Sequence, residues 1–140
     1  PIEIFNLIPY PHIVERYPGY FQISKDTAVC FDAGCSPAAR YFSDSVFADT
    51  GTTIPPENSG GGIKIFFKLD PSINKTESYK LQILPEGIHL TSPSTQGIFH
   101  GVQTLLQLFF QYRDERLLPC MLIEDTPRFS WRALMLDEAR

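Results

Sequence analysis

The sequence has no excess of positive charge, no apolar run long enough to cross a bilayer, few cysteines and few histidines, and each shortage removes a class of function. Lys and Arg number 12 against 16 Asp and Glu, a formal net charge of −4 at pH 7. The cations are mixed with acids rather than gathered into a stripe, so the electrostatic footprint that binds nucleic-acid phosphates is missing. No apolar segment approaches the roughly 18–20 residues of a membrane span, and no charged start leads into a signal-type core. The chain begins at Pro1 rather than Met, which reads as processed or excised, so the missing signal peptide says nothing about compartment. The three histidines, His12, His89 and His100, stand apart, with no H-x-x-x-H pair and no neighbouring cysteine, which leaves zinc without a ligand set. Cys30, Cys35 and Cys120 are odd in number and lack metal-type spacing. Either Cys30 and Cys35 bridge across the residues between them, or all three are packed free thiols. There is no G-x-S-x-G, no dinucleotide fingerprint and no Cys/His dyad signature; the glycines at 60–62 lack the Lys and the strand-to-helix setting of a phosphate loop. No metal and no cofactor are expected.

Acid–base hydrolysis needs two carboxyls opposed across a bond. The candidates, Glu124, Asp125, Asp137 and Glu138, crowd into the C-terminal stretch, where Asp125 reads as turn chemistry ahead of Pro127 and Glu138 has no visible partner. No catalytic residue is assigned. From residue chemistry alone the chain is not an enzyme.

What is present is enough for a core: 140 residues, 43% hydrophobic and 13% aromatic. Residues 2–8 suggest an opening strand, and Pro9, Pro11 and Pro18 then suggest an extended crossing. Short strands are expected at 20–24 and 27–31. Ser36 followed by Pro37 suits a helix N-cap and first position, Ala38, Tyr41, Phe42 and Val46 recur at helical spacing, and Gly51 suits a left-handed end. Residues 52–62 form a breaker-rich loop. Alternation over 63–69 and 79–84, the Pro85–Gly87 turn and a return over 88–91 predict strands and a hairpin. From 98 to 112, Val102, Leu105, Leu106 and Phe109 form an apolar stripe beside a polar row of Gln103, Gln107 and Gln111. The fold expected is α+β, a mostly antiparallel sheet with two amphipathic helices packed on one face.

The last stretch begins something new. Ala133 to Leu136 is a short apolar run between Arg132 and Asp137, which suits a strand of a parallel sheet whose partners lie beyond the end. Arg132 at the opening of such a strand needs a carboxylate or a ligand's hydroxyls; a salt bridge to an acid such as Asp137 and a ligand contact remain equally open on residue chemistry.

Gly97, Gly101, Gln103, Thr104, Leu105, Gln107 and Leu108 fit G-x-x-x-G-x-Q-T-L-x-Q-L, and Asp125, Pro127, Arg128, Phe129, Trp131 and Arg132 fit D-x-P-R-F-x-W-R. Together with the 79–90 hairpin, this resembles glycoside hydrolase family 20, the β-N-acetylhexosaminidases. The resemblance implies a non-catalytic α+β domain over 1–122, and over 123–140 the lead-in and first strand of a truncated (β/α)8 barrel. It implies that Arg132 binds hydroxyls of the terminal sugar. The family commonly has Gly where this chain has Ala133, and an aromatic where it has His100. It further implies a parent that removes terminal β-linked N-acetylhexosamine by substrate-assisted retaining hydrolysis, with an Asp–Glu pair that nothing in this sequence matches. The implied partners are the downstream barrel and N-acetylhexosamine glycans, and the implied location is exported: periplasmic, secreted or lysosomal. The alternative is a stand-alone carbohydrate-binding or interaction module, for which Tyr10, Tyr17 and Tyr20 would be the platform.

Overall fold

A computed structural model describes residues 5–57, 62–73 and 75–126. Six strands and two helices follow in the order β1 Ile13–Gln22, β2 Thr27–Phe31, α1 Ser36–Thr50, β3 Ile63–Leu69, β4 Tyr79–Leu84, β5 Gly87–Ser92, α2 Thr95–Gln111 and β6 Leu117–Asp125. They form one sheet in the order β1-β6-β4-β5-β3-β2, with α1 against β2, α2 across β3, β4 and β5, and the helices packed on each other.

The expected mostly antiparallel sheet is replaced by a mixed one. β1–β6, β4–β5 and β4–β6 pair antiparallel, whereas β2–β3 and β3–β5 pair parallel. The unit β2–α1–β3 is therefore a helical crossover between parallel neighbours. Its alternating strand pattern is misleading for a physical reason. Parallel strands read as continuous apolar runs when helices cover both faces; here both helices share one face, so β3 alternates as an antiparallel strand would. Ile65 and Phe67 are buried while Lys64, Phe66 and Lys68 are not.

The first strand also differs from expectation. Residues 5–8 are not in a strand, and the expected separate strand at 20–24 is the end of the longer β1. β1 is an edge strand, which tolerates Pro18 because its outward N–H is not needed. Its register slips between Arg16 and Tyr20, opposite Pro119 and Met121, and this bulge lets Pro119 lie in a strand that is central to the sheet. Arg16 Nη1 closes the bulge by donating to Gly19 O at 3.2 Å and Cys120 O at 3.0 Å.

Ser36 is not the cap of α1. A 3₁₀ turn, Ala33–Cys35, runs directly into the helix, so Cys35 stands at the cap without a side-chain bond and Pro37 keeps a place in the first turn. Gly51 ends the helix as expected, at φ 76° with its N–H on Phe47 O. In the loop that follows, Val29 N donates to Pro55 O and Glu57 N to Val29 O, covering the outer edge of β2. α2 starts earlier than its stripe suggests, at Thr95, with Ser94 Oγ accepting from Gly97 N at 3.1 Å.

Candidate functional site

The residues of the 97–108 pattern serve packing and tethering. A Cβ at Gly97 would strike Ser92 Oγ and the Ser78 carbonyl oxygen, and one at Gly101 would strike Leu90 Cδ1. Both glycines let α2 lie closer to β4 and β5 than any side chain allows. Thr104 falls on the buried stripe, where an unpaired hydroxyl would be costly; it pairs with Tyr79 Oη at 2.6 Å. Gln103 Nε2 donates to Tyr41 Oη at 3.3 Å.

The glutamine row does more than meet solvent. Gln107 Oε1 accepts from Ile8 N at 2.7 Å and its Nε2 donates to Ile8 O at 3.1 Å, while Gln111 Oε1 accepts from Asn6 N at 3.0 Å. One helix face thus reads backbone as a neighbouring strand would, and residues 5–9 are strapped along α2 with Phe5 and Leu7 buried. At the far end of the strap, His12 N donates to Asp125 Oδ1 at 3.0 Å. The turn expected ahead of Pro127 runs outside the described residues; within them, Asp125 joins the last residue of β6 to a residue 113 positions earlier. The chain's entry and its exit from the sheet meet at one corner.

Burial sets the titration of this interior. It pushes the Tyr79 phenol up to about 12, and the nearby Asp125 carboxylate adds to the rise while the Thr104 hydrogen bond opposes it. Burial, with the Asp32 carboxylate, pushes the Cys35 thiol up to about 11. Burial lifts the Cys120 thiol as well. Both are inert thiols, and Cys30, half-buried, is also unpaired; no disulfide joins Cys30 to Cys35. Because folding holds Tyr79 and Cys35 protonated above their unfolded values, their contribution is complete below about pH 9 and is lost as pH rises through 11 and 12. The urea midpoint is expected to hold steady up to about pH 9 and then fall, with Tyr79 accounting for on the order of 2–3 kcal/mol between about pH 10 and 12. A midpoint that stays level to pH 12 would contradict this.

The sequence-proposed residues fall as follows. Arg132 lies outside the described residues, as do Asp137, Glu138 and the apolar run at 133–136. Tyr10 and Tyr20 are exposed and Tyr17 is half-buried, but one face of the Tyr20 ring is taken by the Arg16 guanidinium, 5.0 Å from its centroid. The histidines are dispersed: His12 binds Asp125 through its backbone, His100 faces Glu77 at 3.7 Å, and His89 stacks on Phe66 at 4.9 Å with its pKa lowered by burial and Lys68. Among the described residues no three of His, Cys, Asp and Glu are placed to hold a metal. On the side of the sheet bearing Lys80, Gln82 and Thr91, an open cleft of about 640 Å³ mixes Lys75 and Lys80 with Asp70 and Glu124. Among the described residues no buried side-chain polar atom lacks a partner. Among them, too, no helix is long and apolar enough to cross a membrane.

The six-stranded sheet with its two helices corresponds to a described domain. The model for glycosyl hydrolase family 20, domain 2, matches residues 5–126. The chain belongs to glycosyl hydrolase family 20. Among family 20 relatives, the β-hexosaminidase of Porphyromonas gingivalis is 30% identical over 96% of this chain and 19% of its own length. That of Akkermansia muciniphila is 42% identical over 74% of this chain and 21% of its own. In solved structures the domain superimposes on the exo-β-N-acetylglucosaminidase of Vibrio harveyi, determined with N-acetylglucosamine, with a TM-score of 0.73 and 26% identity over 86% of this chain and 19% of that one. It superimposes on the N-acetyl-β-hexosaminidase of Streptomyces plicatus with a TM-score of 0.71 and 31% identity over 86% and 26%. The chain spans about a fifth of the length of the curated relatives it matches.

Sequence reasoning placed the family 20 pattern correctly on α2 but missed what its polar members hold. Thr104 carried a signal, a hydroxyl on an apolar stripe that must find a partner. The partners of Gln107 and Gln111 lie 99 and 105 residues away and left no local trace.

Proposed function

We propose that this chain is the non-catalytic accessory domain of a β-N-acetylhexosaminidase, followed over 123–140 by the lead-in and first strand of its (β/α)8 catalytic barrel. The parent enzyme releases terminal β-linked N-acetylhexosamine from glycans by substrate-assisted retaining hydrolysis. The 140-residue chain supports the barrel and is itself inactive. The observation that carries this reading is the match to domain 2 over residues 5–126, shared with relatives named β-hexosaminidases that run about five times its length. The division at 122/123 belongs to the proposal, with β6 carrying the sheet on to Asp125. So does the export of the parent.

The outward faces of α1 and α2 are the contact offered to the barrel. Phe47 and Tyr41 are exposed there, at 57% and 41%, and Tyr41 packs against Phe99 at 6.0 Å. Exposed aromatics on a helix pair suit an intramolecular interface. Arg132 is proposed to bind hydroxyls of the terminal sugar.

The test is hydrolysis of a chromogenic β-N-acetylglucosaminide by the chain and by the polypeptide extended through its downstream reading frame. Activity is expected only in the extended form. Arg132→Ala should lower its kcat/KM by about 10- to 100-fold, the loss of a charge-assisted hydrogen bond to the sugar. No hydrolysis by the extended form, or full activity without the arginine, would overturn the corresponding assignment.

A further inference from the structure

On the side of the sheet away from the helices, three strands set four polar side chains around the floor of the open cleft. Lys80 on β4 lies opposite Thr91 on β5 and opposite Glu124 on β6, which puts the three in one row across the sheet. Gln82, two residues on, lines the cleft beside Lys80. Tyr79, Leu81 and Ile83 alternate with them and are buried, so the pleat commits the polar set to the cleft. Lys80 is exposed, and Gln82, Thr91 and Glu124 are half-buried. Opposed residues on neighbouring antiparallel strands have Cβ atoms about 4.5–5.5 Å apart, close enough for a Lys and a Glu to pair. Yet among the described residues none of these four side chains takes a hydrogen-bond or ion-pair partner.

The wall is as firmly placed as the floor. Asp70 N donates to Ser92 O at 2.8 Å and Ser92 Oγ to Ser78 O at 2.6 Å, which ties both ends of the β3–β4 connection to the end of β5. From that connection Asp70 adds an acceptor to the cleft and Lys75 a donor. Hydrogen bonds from the Ser72 hydroxyl and N–H hold the Asp70 carboxyl below the usual carboxylate range, so it is ionised at neutral pH. The volume, about 640 Å³, falls within the roughly 300–1,000 Å³ of ligand sites. Cations and anions stand next to one another here, so their fields cancel and neither a phosphate nor a cation is preferred. What is left is a dense mixture of donors and acceptors, which hydroxyl and amide groups, able to do both, can satisfy. We infer that this cleft is an ancillary saccharide site, taking a short uncharged oligosaccharide through its hydroxyl and acetamido groups. The choice of an N-acetylated sugar rests on the proposed hexosaminidase parent; the polar, uncharged character of the ligand rests on the cleft itself.

Titrating the ¹⁵N-labelled chain with N,N′-diacetylchitobiose tests this, with inorganic phosphate as the second probe. The saccharide should move the backbone amide resonances of Lys80, Gln82, Thr91 and Glu124 saturably, with the millimolar Kd of an open polar site, and phosphate should leave them in place. Lys80→Met and Glu124→Gln should each raise that Kd about tenfold, the loss of one charge-assisted hydrogen bond. The remaining resonances of each variant, unmoved, show that the fold is kept. Absence of saturable shifts, shifts confined to the helix side of the sheet, or an unchanged Kd in both variants would overturn the site. Phosphate saturating the same resonances would overturn it too, in favour of an anion site. Hydrolysis plays no part in the readout. An extended polypeptide that hydrolyses its substrate while this domain ignores the saccharide would lose the site and keep the hexosaminidase assignment.

Discussion

Replacing Phe42 with alanine is expected to cost about 3–5 kcal/mol, a large share of the roughly 5–15 kcal/mol that keeps a domain folded. Phe42 is fully buried on α1 and is the point at which both helices and the sheet meet. Its ring lies 5.2 Å from that of Phe109 on α2 at 88°, and 5.8 Å from that of Phe67 on β3 at 76°. Both are edge-to-face arrangements, each worth about 0.5–1.5 kcal/mol beyond area burial. Truncation removes the ring from three elements at once, and their backbones cannot all close on the gap. Urea unfolding followed by circular dichroism measures this directly. Phe42→Leu should recover roughly half the loss, because it refills volume without the edge-to-face geometry. A loss below about 1.5 kcal/mol for the alanine variant would mean that the helix pair collapses freely, contrary to this packing.

Gly97→Ala should have the opposite cause and a comparable result. The new methyl would enter the space of the Ser92 hydroxyl and the Ser78 carbonyl, and a backbone oxygen cannot rotate away as a side chain can. Ser92 Oγ is itself committed to Ser78 O at 2.6 Å, so displacing it breaks a second interaction. Overpacking of this kind costs about 3 kcal/mol, and the roughly 1 kcal/mol by which alanine favours a helix over glycine is not enough to cancel it. Gly101→Ala meets only the end of the Leu90 side chain and should cost less. If Gly97→Ala raised the urea midpoint, helix propensity would have outweighed the clash and the close approach of α2 to the hairpin would be disproved.

These two residues also mark how far the sequence could be read. Phe42 was visible through its helical spacing with Ala38 and Val46, all three buried. The two glycines were recognisable as points of close approach, because their lack of a Cβ has no other use inside a helix. The hairpin of β4 and β5 was equally plain, since Pro85 and Gly87 dictate the turn and strict alternation does the rest. Less could be read where one local pattern serves two architectures. β3 alternates whether its neighbours run parallel or antiparallel, so its parallel pairing with β2 and β5 was hidden. Pro18 suggested an extended crossing, and an edge position and a bulge accommodate it within a strand.

By itself, then, the sequence determined the α+β class, both helices and their buried faces, the central hairpin, and the family 20 signature. All of these rest on periodicity, turn residues and short motifs, which are properties of neighbouring positions. Only the tertiary structure decided the mixed strand order, the clamping of Ile8 by Gln107, and the meeting of His12 with Asp125. Those depend on which distant groups the fold brings within hydrogen-bonding reach. A glutamine facing water and a glutamine facing backbone have the same local sequence, and closure of the chain around the core tells them apart.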